Sequence, residues 1–336
     1  MVRKLVKKLS ACVLAAAVVA GLSGCGSVTS GKRIVRISHA QSETHPEHLG
    51  LLAFKKYVEE RLGVKYEVQI FPNELLGSAQ KAIELTQTGA IDFVVAGTAN
   101  LETFASVYEI FSMPYLFDSE DVYKSVMQDT DYMEKIYEST DEAGFRVVTW
   151  YNAGTRNFYG KKPINTPDDL KGMKIRVQQS PASVAMVNAF GAAAAPMSFG
   201  EVYTAIQQGV IDGAENNELA LTNNKHGEVA KYYSYTRHIV HPDVVVASTN
   251  FLDSMSEEDR AIFDKLVMES TEYEFDTFKE AVEAGKKEAE EHGAIFVYPD
   301  TNEFREKCQP LLDSIANQSD MTKDIYNKVE ALREEN

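Results

Sequence analysis

The sequence predicts an α/β protein of two similarly built lobes, with one long helix lying across both. Three observations carry this. Strand-like and helix-like segments alternate with short links from Ile34 to Val95, and again from Met173 to Asp212. The segment Ala82-Ile83…Gly89-Ala90-Ile91-Asp92 is echoed by Ala205-Ile206…Gly209-Val210-Ile211-Asp212. Each reads as a helix, a glycine just past its end, and a strand with aspartate at its start. From Ser256 the chain runs to Gly293 without proline and with Gly285 as its one interior glycine, a helix of up to about 50 Å at ~1.5 Å per residue.

The elements follow in order. Ile34-Val35-Arg36-Ile37-Ser38 reads as a strand, and Leu49, Leu52, Ala53, Tyr57 and Val58 recur at helical spacing behind it. Tyr66 to Phe71 is a strand stopped by Pro72-Asn73, and Ser78 to Thr86 a helix. Gly89 then turns the chain into a strand over Ile91 to Val95. Phe145 to Tyr151 is strongly β-prone, and so is the valine-rich run Thr236 to Thr249; either run could carry the chain between lobes. Met173 to Val177 is a strand, Ser183 to Ala189 and Glu201 to Gln208 are helices, and Val210-Ile211-Asp212 is a strand. Ser256 with Asp259 is a capping box at the start of the long helix. Ile295 to Tyr298 is a last strand, and two amphipathic helices close the chain.

The 336 residues are 44% hydrophobic and 25% charged, the composition of a folded globular protein rather than a disordered or repetitive one. The charge is uneven. Arg3, Lys4, Lys7 and Lys8 precede any acid; the other 30 basic residues face 50 acids, a net −20. A body that acidic excludes nucleic acid as a partner, since phosphate binding needs clustered lysine and arginine. An anionic ligand has to be held by a few positioned cations.

The opening residues read as an address. A basic stretch is followed by the uncharged run Ala11–Leu22, too short for the ~20 residues of a membrane-spanning helix but suited to a secretory signal. Leu22-Ser23-Gly24-Cys25 resembles a lipoprotein cleavage site. The expectation is a signal peptide over 1–24, a lipidated Cys25 and a polar tether over 25–32; a plain signal with an incidental cysteine is the alternative. Cys12 would leave with the signal, so Cys308 alone would remain unmodified, a small buried hydrophobe with no disulfide partner.

Motifs for catalysis are missing: no Gly-x-Ser-x-Gly, no phosphate loop and no Gly-x-Gly-x-x-Gly after a strand. His45-x-x-His48 and His238-x-x-His241 have a spacing open to zinc, but both lie beside prolines in turn-like segments with no further ligand cluster, so turn or surface histidines are favoured. More informative are arginines at strand ends. Arg156 follows the Phe145–Tyr151 strand, and Arg176 takes the face opposite Ile175 and Val177, just before the polar turn Gln178-Gln179-Ser180. Ligands of open α/β sheets bind beyond the carboxyl ends of strands, and a guanidinium there could grip a carboxylate with two hydrogen bonds. A surface ion pair fits the same residues. Asn216 and Asn217 supply uncharged donors and acceptors suited to hydroxyls, although an Asx turn is the favoured reading of that pair.

Six ordered motifs make the chain recognisable from about Ile34 to its end. They are Phe71-Pro72-Asn73-Glu74-Leu75-Leu76-Gly77, Met113-Pro114-Tyr115-Leu116-Phe117, Gly154-Thr155-Arg156, Asp168 to Val177, Pro196 to Tyr203, and Gly209 to Asn216. Together they resemble the substrate-binding proteins of the tripartite ATP-independent periplasmic (TRAP) transporters, the DctP-like family. The resemblance implies a periplasmic-binding-protein-like fold with a ligand cleft between the lobes. Lobe 1 would hold approximately 33–150 and lobe 2 approximately 151–240, each with later segments of the 33–336 body. Arg176 falls on the family's carboxylate-clamping arginine, Arg156 on an assisting arginine, Asn216 on an asparagine completing the contact, and Phe199 on an aromatic near the ligand. Asn100 and Gln179 fall on positions that vary with ligand, and His39 on the first strand-to-helix loop facing the cleft.

Many dicarboxylate or oxo-acid members have proline where this chain has Asn217. The run Ala214-Glu215-Asn216-Asn217 looks like the branch that binds sugar acids such as uronates and aldonates, which often continues with tryptophan where this chain has Glu218. The resemblance therefore implies a lipid-tethered, exported receptor that binds a small carboxylate, foremost a sugar acid, and delivers it to the membrane subunits of a transporter, with no cofactor. Hydroxyls would be met by Asn217, Asn100, His39 and Glu74, the last also readable as a surface turn residue. The alternatives are an exported enzyme acting on sugar acids, a metal-binding receptor, and a receptor for a C4-dicarboxylate or another oxo or hydroxy acid.

Overall fold

The computed structural model describes residues 31–240 and 242–335. The expected signal, Cys25 and most of the tether lie outside the described residues, as does His241. In chain order the elements are β1 (Arg33–Ser38), α1 (Pro46–Leu62), β2 (Tyr66–Phe71), α2 (Ala79–Gln87), β3 (Phe93–Gly97), α3 (Glu120–Met127), α4 (Thr130–Tyr137) and β4 (Phe145–Tyr151). Then come β5 (Thr155–Gly160), β6 (Lys174–Val177), α5 (Pro181–Ala189), β7 (Ala193–Pro196), α6 (Val202–Gln208), β8 (Gly213–Asn216), α7 (Leu219–Thr222) and β9 (Tyr232–Val240). The chain closes with β10 (Asp243–Ser248), α8 (Thr249–Asp253), α9 (Glu257–Glu291), β11 (Ile295–Val297), α10 (Asn302–Ala316) and α11 (Asp320–Glu335).

These elements form a two-lobed α/β fold on two sheets. The first has the order β2-β1-β3-β10-β4, the second β11-β9-β5-β8-β6-β7. In the first, β1 and β3 are parallel and β10 runs antiparallel to both β3 and β4. In the second, β6 is parallel to β7 and β8, and β5 runs antiparallel to β8 and β9. The first five strands of one sheet thus match β7-β6-β8-β5-β9 of the other. Valines of β10 alternate between two cores: Val244 and Val246 pack with Ile83, Val94 and Trp150, and Val245 packs with Ile37, Phe54 and Phe263. A sheet covered on both faces accounts for the unbroken hydrophobic run. The chain crosses between sheets three times: at 152–154, between β9 and β10, and from β10 to β11 by way of α9. The run Thr236–Thr249, read above as one strand, is therefore two, split where the chain changes lobe.

The echoed segments are a repeated device. Gly89 (φ +75°) and Gly209 (φ +72°) take the left-handed conformation after α2 and α6. The amides of Ala90 and Ile91 both reach Leu85 O, and those of Val210 and Ile211 both reach Ala205 O. Asp92 then accepts from Arg36 N on β1 at 2.8 Å, as Asp212 accepts from Lys174 N on β6 at 2.7 Å. The strands start later than the β-branched residues imply. Ile91 and Ile211 are buried plugs beneath these turns, so β3 begins at Phe93 and β8 at Gly213. Asp212 to Asn217 accordingly contains a strand rather than following one.

Two local readings also shift. The buried face of α1 is Leu51, Phe54, Val58 and Leu62, while Leu52 is exposed, because α1 packs against α9 as well as β2. The capping box of α9 is half formed. Ser256 Oγ accepts from Asp259 N at 3.1 Å, but the Asp259 carboxylate turns to Lys65 Nζ (2.8 Å) and Tyr66 OH (3.1 Å).

Helix α9, 35 residues and about 50 Å long, packs along α1 and β4 of lobe 1 and against α7 of lobe 2. A Cβ on Gly50 of α1 would stand 2.8 Å from Glu274 Cβ, and one on Gly285 would stand 2.9 Å from Leu219 Cδ2. Glycine thus permits close approach at both ends of the strut. Cys308 on α10 is a buried free cysteine, and burial pushes its thiol up to about 12.

Candidate functional site

The parallel strands of both sheets point their carboxyl ends at one small cavity lined by residues of both lobes. Lobe 2 supplies the cations. Ile175 and Val177 are fully buried in the lobe 2 core, so the alternation of β6 puts Arg176 on the other face. Arg176 is 3% exposed. Its Nε and Nη2 donate to Met197 O at 3.1 and 2.9 Å, and its guanidinium lies 5.6 Å from the centre of the Phe199 ring. Among the described residues it has no ion-pair partner, and burial lowers its pKa despite the nearby Glu215. A buried cation without a directly paired carboxylate is a ready carboxylate site.

Arg156 on β5 is engaged differently. Its Nε and Nη2 form a bidentate pair with the Glu215 carboxylate, Nη2–Oε1 being 2.8 Å, while Nη2 also reaches Glu215 O and Nη1 donates to Asn216 Oδ1 at 3.0 Å. Burial pushes Glu215 up, but Arg156 and His238 outweigh it and hold the carboxyl down at about 2. The second arginine therefore carries its own counter-charge. Glu215 was quoted above only as part of a motif; its register opposite Phe158 on β5 is what sets it beside Arg156.

The two asparagines both line the cavity and both make turn contacts. Asn216 Oδ1 accepts from Asn217 N at 2.8 Å as well as from Arg156, which leaves its amide nitrogen for a ligand. Asn217 holds the first crossing in place: its Nδ2 donates to Ala153 O at 2.8 Å and its Oδ1 accepts from Leu219 N at 3.0 Å. Gly154 between them has φ +65° and no room for a side chain, since a Cβ would stand 3.0 Å from the Phe278 ring. Gln179 after β6 and Asn100 after β3 also line the cavity.

Glu74 reaches across from lobe 1. Its carboxylate accepts from Phe199 N at 3.2 Å and Gly200 N at 3.1 Å, the first amides of a short helical turn in lobe 2. It is a bridge between lobes as well as a wall of the cavity, not a surface turn residue.

His39 stands behind the wall. Its Nδ1 accepts from Gln41 N at 3.2 Å, so its Nε2 carries the proton and donates to His48 Nδ1 at 2.9 Å. Burial lowers its pKa to about 4. His45 caps α1 by accepting from Glu47 N, and burial lowers it to about 3. Among the described residues no group of three or more His, Cys, Asp or Glu side chains is arranged to hold a metal ion. Glu218 lines a separate depression with Tyr235 and Arg237, so that departure from the sugar-acid branch lies away from this cavity.

Two acidic cavity residues went unread: Glu47 in the first turn of α1 and Asp243 at the start of β10. Their only sequence signals are an acid just after the helix-starting Pro46 and an acid opening a valine run.

A fold with two lobes around a polar cavity, supplied with one uncompensated guanidinium, defines a solute receptor. The chain belongs to the DctP family of TRAP transporter solute-binding proteins, matching the family described as bacterial extracellular solute-binding protein, family 7, over residues 37–319. It is similar to a solute-binding protein of Chromohalobacter salexigens, 31% identical over 314 residues and 93% of each chain. Its fold is similar to that of a TRAP periplasmic solute-binding protein from Anaerococcus prevotii with bound D-glucuronate, at a TM-score of 0.89 and 50% identity over 90% of this chain and 99% of that one. A Xanthobacter autotrophicus protein of the same kind, with bound β-D-galacturonate, matches at a TM-score of 0.85 and 30% identity over 88% and 99% of the two chains. The family consists of extracytoplasmic receptors, so the enzyme reading is set aside. No helix among the described residues is long and apolar enough to cross a membrane.

Proposed function

We propose that this receptor binds a sugar acid, with a uronate such as D-glucuronate or D-galacturonate as the leading ligand. Arg176 takes the carboxylate, helped by Asn216 and the remaining Nη1 N–H of Arg156, while Phe199 packs on the ligand and Asn100, Gln179 and Glu74 meet its hydroxyls. Asn217 and His39 act by holding neighbours in place. Cys25 carries the lipid that keeps the receptor at the outer face of the membrane, and the lobes close on the ligand and present it to the transporter's membrane subunits.

The observation that carries this reading is the buried Arg176 without a counter-charge. A second carboxylate, as in a C4-dicarboxylate, would meet no second free guanidinium, because Arg156 is already paired with Glu215. The rest of the cavity offers amides and carboxyls, which suit hydroxyls. The uronates bound by similar structures support the same ligand class.

Closure follows from differential affinity, since groups of both lobes meet one ligand only when the lobes are together. The test is calorimetry with uronates, aldonates, keto-acids and C4-dicarboxylates, alongside Arg176→Ala. A uronate binding tightest, and weakened at least about tenfold by the substitution, is expected. Unchanged affinity in Arg176→Ala would sink the assignment. Lipidation is tested separately, by whether Cys25→Ala releases the protein from membranes.

A further inference from the structure

Two acids on the lobe 1 wall have no role in the site so far. Asp243 opens β10 and pairs with Gly97 and Tyr151, the last residues of β3 and β4, so it sits at the carboxyl rim of the sheet. Glu47, in the first turn of α1, hydrogen-bonds it, and both line the cavity although they are only 3% and 9% exposed. Among the described residues neither is paired with a lysine or arginine. Arg156, the cation that acts on Asp243, is spent on Glu215. Glu47 Oε1 has no hydrogen-bond donor; it lies 3.1 Å from His39 Nδ1, which is itself occupied as an acceptor from Gln41 N. With no donor at Glu47 Oε1 and no cation paired with either carboxyl, the two are satisfied best when they share a proton. Burial agrees, raising Glu47 to about 7 and Asp243 well above its ordinary value.

The arrangement is costly for stability, since buried acids without cations could be replaced by apolar residues. Glu274, their neighbour on α9, has a structural use: its Oε2 accepts from Asn152 N at 2.8 Å, and it lies outside the cavity. Glu47 and Asp243 line the cavity instead. A carboxyl pair holding a shared proton both donates and accepts, the pattern a hydroxyl presents, and it does not repel an anion as a doubly ionised pair would.

We propose that Glu47 and Asp243 form the hydroxyl-reading pair of the site. They take hydroxyls of a sugar acid whose carboxylate lies at Arg176, and they set which polyhydroxy acid is retained. This rests on the sugar-acid reading. Arg176 recognises the acid, and the lobe 1 pair recognises the sugar.

The test is calorimetry of the full chain with D-glucuronate and D-galacturonate, comparing wild type with Glu47→Ala and Asp243→Ala, and following the unliganded melting temperature. Each variant is expected to lose at least about tenfold in D-glucuronate affinity while melting no lower than wild type. A smaller loss in both overturns the inference, as does a loss matched by a fall in melting temperature. Should an alanine variant fail to fold, Glu47→Gln and Asp243→Asn decide. A change of at least about fivefold in the preference between the two uronates supports the pair, and an unchanged preference overturns it. The two levels separate cleanly. Wild type that binds no sugar acid overturns the ligand class and the pair together, whereas uronate binding lost in Arg176→Ala but kept in the pair variants overturns the pair alone.

Discussion

Arg156 and Glu215 face each other on adjacent strands of lobe 2 as a bidentate ion pair, both almost wholly buried. Breaking such a pair from one side leaves a buried charge uncompensated, at about 3–5 kcal/mol. Glu215→Gln is therefore expected to destabilise the protein by roughly that amount at neutral pH. The Glu215 pKa is depressed in the folded state, so its stabilisation is full above the ordinary value of 4.5 and is lost as pH falls through about 2. Denaturant titrations should show the gap between wild type and variant narrowing from pH 5 towards pH 2.5. A gap independent of pH would contradict the pairing.

Arg176 shows the opposite balance. Its burial without a counter-charge disfavours the empty receptor. Arg176→Met is expected to leave the unliganded protein at least as stable as wild type, while removing the rise in melting temperature that a uronate produces. A fall in unliganded stability with ligand protection intact would show that Arg176 is structural.

Glu74 joins the lobes from a strained position. Asn73 and Glu74 are consecutive left-handed residues at φ +56° and +55°, held by bonds from their amides to Gln41 O and His39 O. Glu74→Gly should relieve strain by about 1 kcal/mol and still weaken binding about fivefold, with the change mostly in the dissociation rate. Stopped-flow kinetics would check it; an unchanged dissociation rate would mean the bridge to Phe199 and Gly200 does not hold the closed form.

The two glycines at the contacts of α9, Gly50 on α1 and Gly285 on α9 itself, should differ. At Gly50 an added Cβ meets Glu274 near its backbone, so Gly50→Ala is expected to cost about 1–3 kcal/mol by overpacking. At Gly285 it meets the ends of two side chains, Leu219 and Thr222, and the ~1 kcal/mol gain in helix propensity offsets the adjustment. Denaturation midpoints of the two variants should separate clearly; equal midpoints would contradict this packing.

The periodic parts of the fold were legible in the sequence, and so was Arg176. A guanidinium opposite Ile175 and Val177 at a strand end has few places to go. Residues whose role depends on distant partners were not. Nothing local shows that Arg156 is claimed by Glu215, 59 residues on, or that Asp243 is carried to the rim of β3 and β4 by the second crossing. Val210 and Ile211 misled for a related reason. β-Branched residues read as strand, yet one is 55% exposed and the other plugs the core beneath a turn. His39 was expected to face the cleft, but it does not line the cavity, and its hydrogen bonds to Gln41 and His48 make it support for the wall.

The second crossing also orders assembly in time. Strand β10 lies between β3 and β4, so until residue 248 is available both present unpaired edges. All of lobe 2 up to β9 precedes β10 in the chain. The lobe that begins the protein therefore waits for a strand that follows most of the other lobe in the chain, with only the edge strand β11 still to join the second sheet, and a chain cut between 151 and 155 yields one fragment lacking an interior strand. The lobes are exchangeable in outline but not as cassettes, and a chimera of two such receptors must carry β10 along with the first lobe's residues.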